Sequence, residues 1–402
     1  MRTDVEVRWI PVREVGDVRM GKQLSPASRD ASGQRPYLRV ANVLQGRIDY
    51  ADVKTMGFSD AEREAYSLKP GDILLNEGQS LELVGRSAIY DGVEGEFFFQ
   101  NTLVRFRPSC LVLSAYAQVI FERWLTNGVF AAIAKQTTSI AHLGGERFAS
   151  LAFPLLALSE QRRIVEVIDA VSAHERAIEA SIAKLRSVRQ GFLLASMASI
   201  GGGELPRGWA RIPLKDVVPQ VDYGISNALD QDPPGIAVLR MNNLSNGRPE
   251  LSDLRYSSMP VPGRLELRRG DVLFNRTNSI DHVGKAAIWR TELPRATFAS
   301  YLVRINPDET RLTPEYLVEW LMNPLIRQRV QSIATVAVQQ VNVNPARLRE
   351  LEIDMPVDRA EQRRIIDVLS LCDEQIQGEQ AKLEKVRVLK LGVADDLLAG
   401  CS

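Results

Sequence analysis

Few side chains in this 402-residue chain are spaced to do covalent chemistry. His142, His174 and His282 fall in no HExxH or other ligand spacing, so none is placed to hold zinc or to serve a nucleophile. The stretch DPPG at Asp232–Gly235 has the acid and prolines with which amino-methyltransferases hold a flipped base. It lacks the aromatic face that stacks on that base, and it reads as a proline-rich loop. Gly201–Gly203 precede no phosphate-binding lysine and read as a linker. Asp72 and Glu77 have the chemistry of nuclease carboxylates, but a strand start and a loop position account for them. Cys110, Cys372 and Cys401 show no CxxC spacing, so neither a disulfide framework nor a zinc site follows, which fits a reducing cytoplasm. The expectation is a chain with no catalytic residue, metal site or cofactor of its own.

What the chain offers twice is a set of hydrogen-bonding side chains in loops. Arg, Asn and Gln pair with guanine and adenine edges, and Lys and Arg neutralise phosphates. The candidate DNA contacts are Arg39, Asn42, Asn76, Gln79, Gln136 and Thr137, then Arg240, Asn243, Asn275, Arg276, Asn278, Gln339 and Gln340. Residues shared by both sets, Arg39/Arg240 and Asn42/Asn243, suit holding the fold or common backbone contacts. Residues that differ, Glu77/Arg276 and Gln79/Asn278, suit reading different sequences. The same residue types also cap turns. Fifty basic residues balance fifty acidic ones, so the basic excess common in nucleic-acid binders is absent.

These loops belong to two copies of one domain. EQRRI occurs at Glu160–Ile164 and at Glu361–Ile365, 201 residues apart. YLRVANVLQGR at Tyr37–Arg47 matches VLRMNNLSNGR at Val238–Arg248, and LKPGDILLN at Leu68–Asn76 matches LRRGDVLFN at Leu267–Asn275. VGRSAIY and VGKAAIW, then LVRFRP and LVRINP, continue in the same order. Within each copy, short Val-, Ile- and aromatic-rich runs between glycine turns predict strands of a small mixed sheet. The apolar run Cys110–Phe121 is too short to cross a bilayer and predicts a buried helix. Thr313 before Pro314 predicts a helix start.

After Pro154 and Pro356 the pattern changes. Val171, Ile178, Leu185 and Phe192 recur every seven residues, with Ile182 and Val188 between them, and Leu369, Ile376, Leu383 and Val386 show similar spacing. That period predicts long helices pairing through an apolar seam, each about 50–55 Å long. The expected boundaries are globular regions 1–157 and 200–358, with helices over 158–199 and 359–402. Antiparallel pairing would place the two α+β domains about an approximate two-fold axis, which duplex DNA shares. Arg162, Arg163, Arg363 and Arg364 begin the helices, where positive charge opposes the helix dipole, so they are candidate partner contacts; solvated surface charge is the simpler alternative. The charged opening MRTDVEVRWI is unlike a signal peptide.

In order and doubling, these motifs resemble the specificity subunit of type I restriction-modification systems. EQRRI, LPRGW at Leu205–Trp209, VDYGIS at Val221–Ser226, the paired GDILLN and GDVLFN, and DDLLAG at Asp395–Gly400 carry the resemblance, which covers nearly the whole chain. It implies two target recognition domains, each reading half of a split double-stranded DNA site in the cytoplasm, spaced by the helices. It also implies docking of methyltransferase subunits, expected to be two, and of restriction/translocase subunits. S-adenosylmethionine, ATP and Mg would belong to those partners. A non-catalytic helical scaffold without a DNA role is the alternative, favoured by the neutral charge.

Overall fold

The computed structural model describes residues 7–136, 139–197, 203–232, 234–336 and 340–399. Thr137, Gln339, Pro233, Gly201 and Gly202 lie outside them. The chain forms two compact units, residues 1–179 with 381–402 and residues 180–380.

Each unit is built on the Gly-Asp block. Gly71 and Gly270 both have φ +93°, a conformation that L side chains rarely adopt, and so they turn the chain into the strand. The next side chain caps that turn: Asp72 accepts from the Lys69 N–H and Asp271 from the Arg268 N–H, both at 2.9 Å. These aspartates do more than start a strand, because they are buried and ion-paired. Arg107 reaches Asp72 with two bonds of 2.7 Å, and Arg304 reaches Asp271 at 3.0 Å.

Strands Ile73–Asn76 and Val272–Asn275 are buried at every residue, which explains their continuous apolar runs. Ile73 and Leu75 face a core shared with helix Ser114–Thr126, while Leu74 faces Leu38 and Phe99 on the other side. In the second unit Val272 and Phe274 divide from Leu273 in the same way. Each strand is central in an antiparallel four-stranded sheet. The first sheet runs Gly16–Met20, Leu103–Pro108, Ile73–Asn76, Ser87–Ile89. The second runs Asp222–Tyr223, Leu302–Arg304, Val272–Asn275, Ala286–Ile288.

A two-stranded ribbon ties the opening of each domain to its end. Arg8–Pro11 pairs with Ala152–Leu155, and Trp209–Pro213 with Glu352–Pro356. The helix expected from Cys110 instead starts at Ser114, leaving Leu111 exposed in the preceding loop. Thr313 caps its helix as expected, accepting from the Tyr316 N–H.

The long helices span Leu158–Ser196 and Arg359–Ala399. Their EQRRI openings hold a buried amide clamp. Gln161 accepts from the Leu113 N–H and donates to the carbonyls of Leu111 and Leu156, all at 2.9 Å. Gln362 repeats this with the Thr313 N–H at 3.0 Å and the Arg311 and Pro356 carbonyls at 2.9 Å. The glutamine, not the charges beside it, joins helix to domain.

Within each unit the helix segments run antiparallel. Ile164 and Ile168 share a core with Ala394, and Leu193 and Met197 share one with Leu369 and Ile365. Val188, expected in the seam, is exposed, as is His174: neither follows the alternating three- and four-residue spacing of the buried positions. Glu175 occupies the seam position that Ile376 fills in the second helix. It accepts from Arg387 at 2.9 Å and Lys390 at 3.4 Å.

Burial would raise the Glu175 pKa, but its bond to Arg387 and the charge of Lys390 outweigh that and hold it below the usual 4.5. A carboxylate with a depressed folded pKa stabilises the fold above its unfolded pKa and loses that contribution as pH falls through the folded value. Wild type should therefore melt above Glu175→Gln near neutral pH, and the two melting curves should converge as pH falls below the ordinary carboxylate range. Melting temperatures across pH 3–8 check this, and a gap independent of pH would contradict it.

Candidate nucleic-acid interface

Beyond each Gly-Asp strand the chain enters a small sheet assembled from two distant segments. In the first unit Gly78–Gln79 pairs with Ala141–His142, which pairs with Lys135–Gln136. In the second, Thr277–Asn278 pairs with Val341–Asn342, which pairs with Thr335–Val336. Candidate residues from two distant segments, around Gln79 and Gln136 and around Asn278 and Gln340, thus come together in each copy. The segment after Arg39 or Arg240 approaches through Asn76, whose amide donates to the Val43 carbonyl at 3.4 Å, and through Asn275, which donates to the Met241 carbonyl at 2.9 Å.

The shared asparagines work inside the fold. Asn42 is 2% exposed; it accepts from the Arg39 N–H and donates to the Asp49 and Asp52 carbonyls. Asn243 is 1% exposed and makes the corresponding bonds with the Arg240 N–H and the Glu250 and Asp253 carbonyls. Asn76 and Asn275 are fully buried. All four amides serve turns and loop packing; for Asn42 and Asn243 a fold-holding role was one expectation, whereas Asn76 and Asn275 were expected at DNA and are instead enclosed by the fold. Arg39 pairs with Asp52, and Arg240 with Asp253 at 2.7 Å.

The positions that differ between the copies are more open. The amide oxygens of Gln79 and Asn278 accept from the next backbone N–H, at 3.1 and 2.8 Å, leaving the amino groups pointing away from those bonds. Gln136 and Gln340 are exposed. Arg276 donates from Nη2 to Asn342 Oδ1 at 3.0 Å, with its guanidinium carbon 5.3 Å from the centre of the Tyr223 ring. At the place of Arg276 in the first unit stands Glu77, bonded at 2.9 Å to Nδ1 of His142. Beneath these loops Arg86 and Lys285 occupy equivalent positions, and burial pushes both below their usual pKa. His142, Asn342 and Tyr223 were missed as site residues. The available signal was alignment of the two copies, which sets IAHL at 140–143 against QVNV at 340–343. Among the described residues no cluster of His, Cys, Asp or Glu could hold a metal ion. None of the described helices is long and apolar enough to cross a membrane.

Two domains of one framework, with matching turns and contrasting loop side chains, define a protein that presents two variants of one recognition surface. The chain belongs to the type I restriction modification DNA specificity domain family, whose model matches residues 5–185 and again 206–388. It is the non-catalytic specificity component of that class. It is 27% identical over 198 residues to the MjaX specificity subunit assigned in Methanocaldococcus jannaschii, covering 48% of this chain and 46% of that one. The specificity subunit of the EcoKI type I restriction enzyme of Escherichia coli K12 is 20% identical over 80% of this chain and 72% of its own. Two solved structures share the fold. One, concerned with complex assembly and conformational transition of the type I R-M system, aligns over 99% of this chain and 98% of its own, with TM-score 0.62 and 17% identity. The other, the type I S subunit from M. genitalium, aligns over 98% and 96%, with TM-score 0.54 and 12% identity.

Proposed function

We propose that this chain reads a bipartite double-stranded DNA site, one half-site per domain, and docks methyltransferase and restriction/translocase subunits. The observation carrying the reading is the doubled domain in which fold-holding residues are kept while partly exposed loop side chains change. One framework with two loop chemistries suits two different half-sites. Gln79, Gln136, Arg276, Asn278 and Gln340 are the described candidates for DNA contact, and the further candidates Arg39 and Arg240 are ion-paired with Asp52 and Asp253.

Docking is supported by the long helices. Arg162, Arg163, Arg363 and Arg364 are exposed, with Arg163 and Arg364 each within reach of a glutamate three residues earlier in the helix, at 3.5 and 2.7 Å. Val388, Leu389 and Leu391 are 69, 56 and 46% exposed on the second helix, apolar area of the kind a partner covers. S-adenosylmethionine, ATP and Mg would belong to those partners, as the family resemblance implies. Two copies of the methyltransferase match the doubled helix openings.

The test is exchange of residues 1–157 for the matching region of a relative, followed by sequencing of methylated motifs in cells carrying the system. One half of the motif should change and the other should persist. Alteration of both halves, or of neither, would overturn the assignment of one reader to each half-site. A scaffold without a DNA role predicts no methylation dependent on this chain.

A further inference from the structure

Residues 77 and 276 stand at the same place on the framework. The Glu77 N–H donates to the Thr102 carbonyl at 2.9 Å, and the Arg276 N–H to the Tyr301 carbonyl at 3.1 Å. Their own carbonyls accept from Leu143 and Val343, both at 2.8 Å. Each also meets an equivalent neighbour from the central strand of the small sheet, His142 in one unit and Asn342 in the other.

The side chains at this place are opposite in hydrogen-bonding character. Arginine only donates, and an ionised glutamate only accepts. Arg276 is held on two sides, by the ring of Tyr223 and by a bond from Nη2 to Asn342 Oδ1. Tyr223 is itself 51% exposed, so the stacked pair lies at the surface. Stacking plus one bond fixes the rotamer and leaves further donors for a ligand, and a positioned guanidinium matches the O6 and N7 acceptors of guanine. Glu77 presents its carboxylate beside His142, and carboxylates accept from the N4 amino group of cytosine.

We propose that this position sets one recognised base in each half-site: Arg276, positioned by Tyr223 and Asn342, reads a guanine, and Glu77, positioned by His142, reads a cytosine amino group. The inference rests on the DNA-reading function proposed above. It adds that the half-sites differ in polarity at the equivalent base pair.

The test selects duplexes from a random pool with the full chain, comparing wild type with Arg276→Lys, Arg276→Ala and Glu77→Gln, each checked for an unchanged melting temperature. Wild type should enrich a two-part motif with guanine in one half. Arg276→Lys keeps the charge but loses the fork, so preference for that guanine should fall by about 5- to 150-fold. Salt dependence and the other half of the motif should stay as they were. Arg276→Ala should lose the same preference, and Glu77→Gln should flatten one position in the opposite half. If the Arg276 variants keep every base preference, or weaken binding equally for all sequences, Arg276 is at most a phosphate contact and the inference fails while DNA reading stands. If wild type enriches no duplex, DNA reading itself falls, and this inference falls with it.

Discussion

Replacing Gln362 with leucine is expected to destabilise the unit of residues 180–380 by about 3–5 kcal/mol. The substitution strands three buried backbone groups at once, the Thr313 N–H and the carbonyls of Arg311 and Pro356. Each unmet buried group costs about 1–3 kcal/mol, and leucine can replace none of the bonds. Gln161→Leu should act likewise on the first unit through Leu113, Leu111 and Leu156. Arg363→Ala, at the next residue of the same motif but exposed, should shift stability by no more than about 0.5 kcal/mol. Urea denaturation of the three variants checks this. Equal losses for the glutamine and the arginine would show that charge, not the amide, secures the helix opening.

Arg189→Leu should be the second large effect, also about 3–5 kcal/mol near neutral pH. Arg189 bonds Asp373 at 2.6 and 3.0 Å and Glu319 at 2.7 Å, so its removal leaves two part-buried carboxylates facing each other. Burial already pushes the Glu319 pKa above its usual value, with Arg189 opposing the shift and Asp373 adding to it. The sign of the pH dependence follows. A carboxyl with a raised folded pKa destabilises the fold as pH climbs above its unfolded value, and the variant raises that pKa further. The deficit of Arg189→Leu should therefore shrink as pH falls towards the ordinary carboxylate range, where Glu319 takes up a proton. Denaturation midpoints at pH 7 and pH 5 measure it, and a deficit larger at pH 5 would contradict the account.

The parts legible in the sequence are those set by short-range pattern. Gly71 and Gly270 announce their turns because the backbone there needs a residue without a Cβ. Seven-residue spacing announces the helices because their seam repeats. Doubling announces the domains. The amide of Gln161 was not legible, since a glutamine between glutamate and arginine looks solvated, and only backbone groups some fifty residues earlier make it a clamp. Asn42 and Asn243 drew attention as polar loop residues, and their burial follows from loops that fold back around them. The Glu77–His142 contact spans 65 residues, and periodicity says nothing of such a pairing. The candidate site is thus half visible: its variable positions show in the alignment of the two copies, but the side chains that contact them come from strands brought in from afar.

The division of the chain into units has a consequence for the order of synthesis. The unit of residues 180–380 is one continuous stretch and can close as soon as it leaves the ribosome, whereas its companion begins first and must wait for residues 381–402. Ala394, which joins the core of Ile164 and Ile168, and Asp395, which meets Arg123 at 2.6 Å, are translated more than two hundred residues after their partners. Until then the seam of Ile164 and Ile168 lacks its cover, at the entropic cost of closing a very long loop. The domain made first is therefore the one completed last, and in the nascent chain that apolar stripe stays open longest.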